Sequence, residues 1–415
     1  MKKKISTLFL LVFIVTNGVA VSWTDAPDTL HRFRISIDSD YFFASNSISN
    51  QFAKDYYQDK FITNSRKDEV SNSLSAFNRF GIQNNSRLSF SFKPTLLFGS
   101  PNSWLTLSLS DHYQISSQFK KDVFELYFRG NKLYEDKKAD LSHFSFDQIH
   151  YQQFSVGFGH AFIKNEQAFS CYAGLSLTKG NTFLSIKAPS GSLYTAMDGD
   201  YIDLEADLNI RRNDSSSTHY NAWNGTGLAS DFQFNWTDEN KGQWSVSVMN
   251  LGFMNWNNKS TYVKADTSFR FNGVDVTDFF NFTDSVKTNV NLDSSLVQPY
   301  LTDRTTKKYT ALLPGFFSIN YRGKFGANTF FIFSADQYWM SNYIPAVKFS
   351  PGYQLNHHAF ILMTRYGGYG QFFAGIGYEY NYNGWNLGLK SEYLSSAFSK
   401  KGKGQGAVFH FSKSF

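Results

Sequence analysis

A two-residue alternation of apolar and polar side chains, sustained over stretches of about ten residues, constrains this chain more than any other feature. Phe33, Ile35, Ile37, Tyr41 and Phe43 alternate with Arg32, Arg34, Ser36, Asp38 and Asp40. Leu88, Phe90 and Phe92 do so with Arg87, Ser89 and Ser91, and Leu105, Leu107 and Leu109 with Thr106, Ser108 and Ser110. Ile202–Arg211 and Trp385–Tyr393 repeat the pattern. Successive side chains of a strand point to opposite sheet faces, so each stretch forms a strand with one greasy and one polar face.

A soluble β-sandwich shows the same alternation, and three features separate the two. Many apolar faces begin or end in aromatic residues, as at the interfaces of a membrane barrel. Strands of this length match a tilted crossing of the hydrocarbon layer. Short turns (Gly99–Ser103, Lys164–Gln167, Asn356–His357, Asn383–Gly384) also alternate with long polar loops (Ser45–Asn84, Ser117–Ser142, Gly273–Thr305). The expected fold is all-β: a transmembrane antiparallel β-barrel. Of sixteen candidate segments the count expected is fourteen strands, with sixteen left open, because Phe183–Lys187 can continue one strand or begin another. Phe119, Val123, Leu126 and Tyr127 share a helical face, and Asp275–Leu296 has room for a short helix. Both are expected in loops, within the lumen or over a barrel mouth.

Composition agrees. The 415 residues include 44 Phe, 24 Tyr and 8 Trp but only 18% charged residues, which excludes a disordered chain. Mean hydropathy is −0.36. No apolar run beyond the N-terminal one approaches the roughly 18–20 residues of a membrane helix. Lys2–Lys4, the apolar run Leu8–Val15 and small residues ending at Ala20 have the layout of a signal peptide. Cleavage is expected after Ala20, giving a signal peptide over 1–20 and a single barrel domain over 21–415. Its removal takes away three Lys and no acid, lowering the net charge from +6 to +3. No basic stripe for nucleic acid remains, and Cys171 is the sole cysteine. At the far end Ala407, Phe409, Phe411, Lys413 and Phe415 share one strand face. Phe409, Phe411 and Phe415 resemble the terminal signal read by outer-membrane assembly machinery. Lys413 stands where an apolar residue is usual.

The stretch Gly242–Asp278, with Leu251-Gly252-Phe253, Trp256 and Gly273-Val274-Asp275, resembles a block in an uncharacterised family of Bacteroidota outer-membrane barrels. Gly227–Trp236 and the strands from Tyr309 onward fit as well, so the resemblance covers most of the mature chain. It implies an architecture similar to fatty-acid-transporter-like barrels, a group that includes carriers of hydrophobic compounds and scaffolds for protein secretion. It implies no catalytic residue.

Candidate chemistry is sparse. Asp198, Asp200, Asp203, Glu205 and Asp207 form the densest acidic group, but they lack the closing Glu of a calcium loop. Asp203, Glu205 and Asp207 alternate with apolar neighbours, so with Arg211 they are expected to form a lumen-facing polar wall. Nine His are scattered without metal-ligand spacing. Lys400–Gly406 lacks the strand–loop–helix setting of a phosphate loop. No catalytic residue, metal or cofactor is expected. The expected role is a passive or gated transporter of small molecules, hydrophobic ones included. Aromatic-rich Tyr41–Tyr57 and Phe279–Phe282 would supply an apolar pocket. The alternative is a plugged scaffold barrel partnering another envelope protein. Expected partners are outer-membrane lipid and the barrel-assembly machinery, with no nucleic acid.

Overall fold

A computed structural model describes residues 31–271 and 303–415, apart from 165, 166, 215, 216, 218, 239–241, 340 and 341. The expected cleavage site at Ala20, the segment Asp275–Leu296 and the aromatics Phe279–Phe282 lie outside the described residues.

The chain runs through β1 (Phe33–Ser45), helices α1 (Asn50–Tyr57) and α2 (Asn64–Ser71), β2 (Asn78–Phe92), β3 (Ser103–Phe119) and α3 (Lys121–Arg129). It continues through β4 (Lys137–Asp140), β5 (Phe144–Lys164), β6 (Gln167–Thr195), β7 (Ile202–Arg212), β8 (Gly225–Thr237), β9 (Gln243–Trp256) and β10 (Thr261–Phe271). After 303 come β11 (Asp303–Thr306), β12 (Tyr309–Leu312), β13 (Phe316–Lys324), β14 (Thr329–Tyr338), β15 (Ile344–Leu355) and β16 (His358–Gly368). The last elements are β17 (Phe372–Tyr382), β18 (Trp385–Ser391), α4 (Leu394–Ala397) and β19 (Gly404–Ser414).

Fourteen of these strands close an antiparallel ring in the order β1, β2, β3, β5, β6, β8, β9, β13 to β19, with β19 pairing back onto β1. Closure removes the free edges that lipid cannot satisfy. The open choice at Phe183–Lys187 resolves as continuation, because β6 runs unbroken for 29 residues. Its first half pairs with β8 and its second half with β7. β7 pairs in turn with β10, and β10 with β11. Those segments extend the wall beyond the ring, which is why more alternating stretches can be counted than there are ring strands.

Register places the alternating faces as the sequence implies. Ile37, Leu88, Leu109, Phe154, Leu177 and Leu228 stay exposed on the outer face. Their neighbours Asp38, Arg87, Ser108, Gln153, Thr178 and Ala229 are buried inside. An exposed apolar belt of this extent, continuing round the ring, is a lipid-facing surface. One rim carries an aromatic row: Phe162 stacks on Phe169 at 5.2 Å, Trp236 on Trp244 at 5.4 Å, and Trp244 meets Tyr321 at 4.6 Å. Lys413 spans the same rim, with its ammonium 4.7 Å over the Trp385 ring and bonded to the Asn383 carbonyl at 2.9 Å. Its apolar stem lies along the rim while its charge reaches the edge, which accommodates a Lys between Phe411 and Phe415. The Asn383-Gly384 turn has φ of 48° and 75°, both in the left-handed region that a two-residue hairpin of this kind requires.

The helical loops decide between the places expected for them. Phe43 on β1, Ile82 on β2 and Phe119 on β3 lie on the outward-facing alternation. They form a core with Phe52 of α1, Val70 of α2 and Phe124 of α3. The helix expected from Phe119–Arg129 exists, but it packs in this cap beside the upper wall and does not plug the lumen. The apolar stripe of a short helix buries most area against a sheet face already greasy, and the upper outer wall offers one.

Candidate functional site

The inner faces converge on a cavity of about 100 Å³ in the middle of the ring. Its wall combines charged groups (Asp40, Arg87, Asp231, Asp336, Lys348, Arg365, Glu392) with aromatic rings (Phe42, Tyr151, Phe316, Tyr338, Tyr343, Tyr393). Alternation puts each of these on the inside, and neighbouring strands then bring them together.

On one side, β14, β15, β16 and the end of β18 build a charge quartet. Arg365 Nη1 lies 2.6 Å from Glu392 Oε2, and Lys348 Nζ lies 2.9 Å from Glu392 Oε1. Lys348 Nζ also lies 3.3 Å from Asp336 Oδ1, and Arg365 Nη2 3.9 Å from Asp336 Oδ2. All four side chains are at most 10% exposed. The Tyr343 hydroxyl bonds both Asp336 and Arg365. Buried charges are tolerated only when paired and hydrogen-bonded, and these four satisfy that condition as two cations against two anions.

On the opposite side, uncharged groups dominate. Asp40 Oδ2 accepts from Gln83 Nε2 at 2.7 Å and Asn85 Nδ2 at 3.3 Å. Gln83 Nε2 lies 2.9 Å from the Tyr338 hydroxyl. His112 Nδ1 sits 3.0 Å from Asn85 Oδ1, and its Nε2 lies 3.2 Å from Gln153 Oε1. Gln153 Nε2 donates to Asn250 Oδ1 at 3.1 Å, and the Asn250 amide donates to Asp231 Oδ1 at 2.7 Å. Asn250 has φ of 56°, at the bulge where β8 and β9 shift register between Ser230 and Phe232. The bulge aims Asp231 and Asn250 together, as such irregularities commonly re-aim side chains.

Above the cavity lies an aromatic lid. Tyr343, Tyr369 and Tyr393 come from the short connections between β14 and β15, β16 and β17, and β18 and β19. With Ala44, Ala346 and Phe373 they form one buried cluster. Tyr369 passes so close to Gly81 that a side chain there would lie 2.1 Å from its ring. A second apolar cluster, including Ile149, Tyr151, Phe183, Met254, Trp256 and Leu313, fills the side near β5 to β13. The interior is thus polar at its centre and apolar in patches above and beside it.

The residues anticipated from sequence lie elsewhere. Asp203, Glu205, Asp207 and Arg211 belong to β7, beyond the level where the ring closes through β8. Ser192 and Ser185 of β6 pair with Glu205 and Arg211, and Asp147 hydrogen-bonds Ser185 in the field of Lys187 and Arg211. Their face therefore continues the inner face outward to the mouth. None lines the central cavity; Asp203 and Glu205 line a separate recess with Lys138, Ser192 and Tyr194. Asp203 is held by Arg270 through two bonds of 2.7 Å, and this pairing lowers its pKa. Phe42 reaches the central cavity, whereas Phe43 and Phe52 fill the cap core. Phe409 and Phe411 stack 6.5 Å apart on the β19 outer face, and Phe415 is exposed at its end. His410, within the pair-like His410-Phe411-Ser412, faces Asp38 at 2.6 Å rather than a serine. Among the described residues no group of three or more His, Cys, Asp or Glu gathers as a metal site.

A closed antiparallel ring, greasy outside and polar at its centre, defines a membrane β-barrel. The chain belongs to a family of unknown function, DUF5723, whose model matches residues 28–393. No curated protein matches it. Among solved structures it is similar to the deltaS2S3 mutant of the monoaromatic hydrocarbon channel TodX, at 8% identity and TM-score 0.45, over 94% of this chain and 93% of that one. It is also similar to the toluene transporter TodX of P. putida (8% identity, TM-score 0.41, 97% and 93% covered). A third is the translocator domain of the autotransporter NalP from Neisseria meningitidis (9%, 0.33, 92% and 88%).

Proposed function

We propose that this barrel sits in the outer membrane, short turns toward the periplasm, and passes a small molecule by a gated route through its central chamber. The observation that carries the reading is the nature of the obstruction. Among the described residues the chamber is closed by side chains of the wall and its short loops, not by a folded plug. The helix of Phe119–Arg129, one of the two segments expected in the lumen or over the mouth, stands beside the wall. Side chains on short loops reorient far faster than an internal domain unfolds. Tyr343, Tyr369 and Tyr393 are the gate, and the charge quartet anchors it through the Tyr343 hydroxyl. The chamber's size suits a small molecule, since drug-sized ligands occupy roughly 300–1,000 Å³.

Purified barrel in planar bilayers tests this. Low, intermittent conductance is expected for the native chain, with a sustained rise when Tyr369 is replaced by Ala. If both chains are equally silent and neither passes solutes in liposomes, the reading falls. A second reading, a scaffold that docks another envelope protein, is favoured by one observation. The cap exposes Tyr57 by 84%, Phe61 by 88% and Tyr127 by 68%. Stoichiometric co-purification that is lost in a Tyr57→Ser, Phe61→Ser chain would support it.

A further inference from the structure

We infer that the chamber recognises a small organic cation, an ammonium carrying apolar substituents; this deepens the transport reading and rests on it. The argument begins with charge matching. Asp336 and Glu392 each have cationic partners within the quartet, Lys348 and Arg365. Asp231 sits against the Asn250 amide, in the field of Arg87. Asp40 differs. Among the described residues its hydrogen bonds come from two neutral amides, Gln83 and Asn85, and both fall on Oδ2. Oδ1 receives none, and Asp40 lines the cavity. The amides are themselves held, Gln83 beside the Tyr338 hydroxyl and Asn85 beside His112, so the carboxylate is fixed in orientation before any ligand arrives.

The surroundings select the kind of cation. Four carboxylates (Asp40, Asp231, Asp336, Glu392) line the cavity against three fixed cations (Arg87, Lys348, Arg365). The rings of Phe42, Phe316, Tyr338 and Tyr393 line it too. Aromatic faces attract cations, most strongly where water is excluded, and a quaternary or alkylated ammonium loses less hydration on entry than a metal ion does. A hard divalent ion would need several converging oxygen ligands; Asp336 and Glu392 are held by Lys348 and Arg365 and Asp231 by the Asn250 amide, which leaves Asp40 beside two amides. A carboxylate with no bonded cation, in a cavity that aromatic rings also line, suits an alkylammonium. A cavity of about 100 Å³ is of the size of a choline head.

The test is calorimetric titration of the purified full chain in detergent with choline and with its uncharged isostere, 3,3-dimethylbutan-1-ol. Choline is expected to bind at least about tenfold more tightly than the isostere. Asp40→Asn should remove that preference while leaving the isostere unchanged, and Asp40→Glu should restore part of it. Asp111→Asn, on the outer face, should change nothing. Equal binding of the two probes, or binding of neither, overturns the inference, whatever the variants do. So does a folded Asp40→Asn barrel that still prefers choline. Liposome flux separates the two proposals. Choline binding without flux leaves this inference standing and sinks the transport reading. Flux of neutral solutes without choline preference does the reverse.

Discussion

Leu175 and Thr178 lie three residues apart on β6, yet the first is 73% exposed and the second 2%. Leu175 faces lipid and needs no particular neighbour there. Thr178 faces the lumen, where its hydroxyl lies 3.8 Å from the sulfur of Met254, 76 residues further on. One strand therefore answers to two solvents. Each outer position is satisfied alone by being apolar. Each inner position is satisfied only by a partner that the closed ring delivers from elsewhere. Substitutions inside should therefore couple, and substitutions outside should not.

The largest effect is expected where that coupling is tightest. Arg365→Ala leaves Glu392 and Asp336 sharing Lys348, and removing one partner of a buried pair costs about 3–5 kcal/mol. The further change Glu392→Ala should cost much less than it does alone, because the charge it removes has already lost a partner. Urea titration of barrels folded into lipid vesicles measures both. Strictly additive losses would mean the quartet does not act as a unit. On the outer face, Leu175→Arg places a guanidinium in the hydrocarbon and should cost about 2–4 kcal/mol. Combined with Arg365→Ala it should simply add. A clear departure from additivity would erase the distinction between the faces.

The same distinction explains what could be read in the sequence. Lipid selects outer residues one at a time, so Leu105, Leu107 and Leu109 announced a lipid-facing strand without knowledge of any neighbour. The hairpin turn at Asn383-Gly384 is equally local. The chamber is not. Gln83 and Tyr338 are 255 positions apart, and Arg365 and Glu392 are 27 apart on strands that are not consecutive. Their polar character was visible, but their convergence depends on strand number and register together. The densest acidic stretch shows the same limit. Asp203, Glu205 and Asp207 alternate as ring residues do, and only the diversion of β6 onto β7 carries them to the mouth. The Phe119–Arg129 helix showed its stripe but not which greasy surface would receive it.

A smaller effect is expected at the turn. Gly384 holds φ of 75°, where a Cβ crowds the following carbonyl. Gly384→Ala should cost about 1–2 kcal/mol. It should act locally, slowing hairpin closure between β17 and β18 without altering chamber binding. A change in conductance or ligand preference with this variant would show that rim turns and chamber communicate.

The smallest effect tests the edge of the cap, where an ion pair open to water links the start of α3 to the end of β4. Asp140 Oδ2 lies 2.5 Å from Lys120 Nζ, and its Oδ1 accepts from the Ser142 amide at 2.9 Å and hydroxyl at 2.6 Å. The bond from Lys120, followed by the Ser142 hydroxyl, depresses its pKa from the ordinary 3.8 to about 2. A depressed carboxylate stabilises the folded state fully above its unfolded pKa, and that contribution fades as pH falls from about 4 to about 2. The side chain is 49% exposed, so solvent screening holds the contribution under about 1 kcal/mol. Asp140→Asn should therefore loosen residues 121–140 slightly at pH 6, seen as faster amide exchange after correction for intrinsic rates, with most of that difference gone at pH 2. An equal difference at both pH values would show that the side chain's shape, and not its charge, holds the cap against the wall.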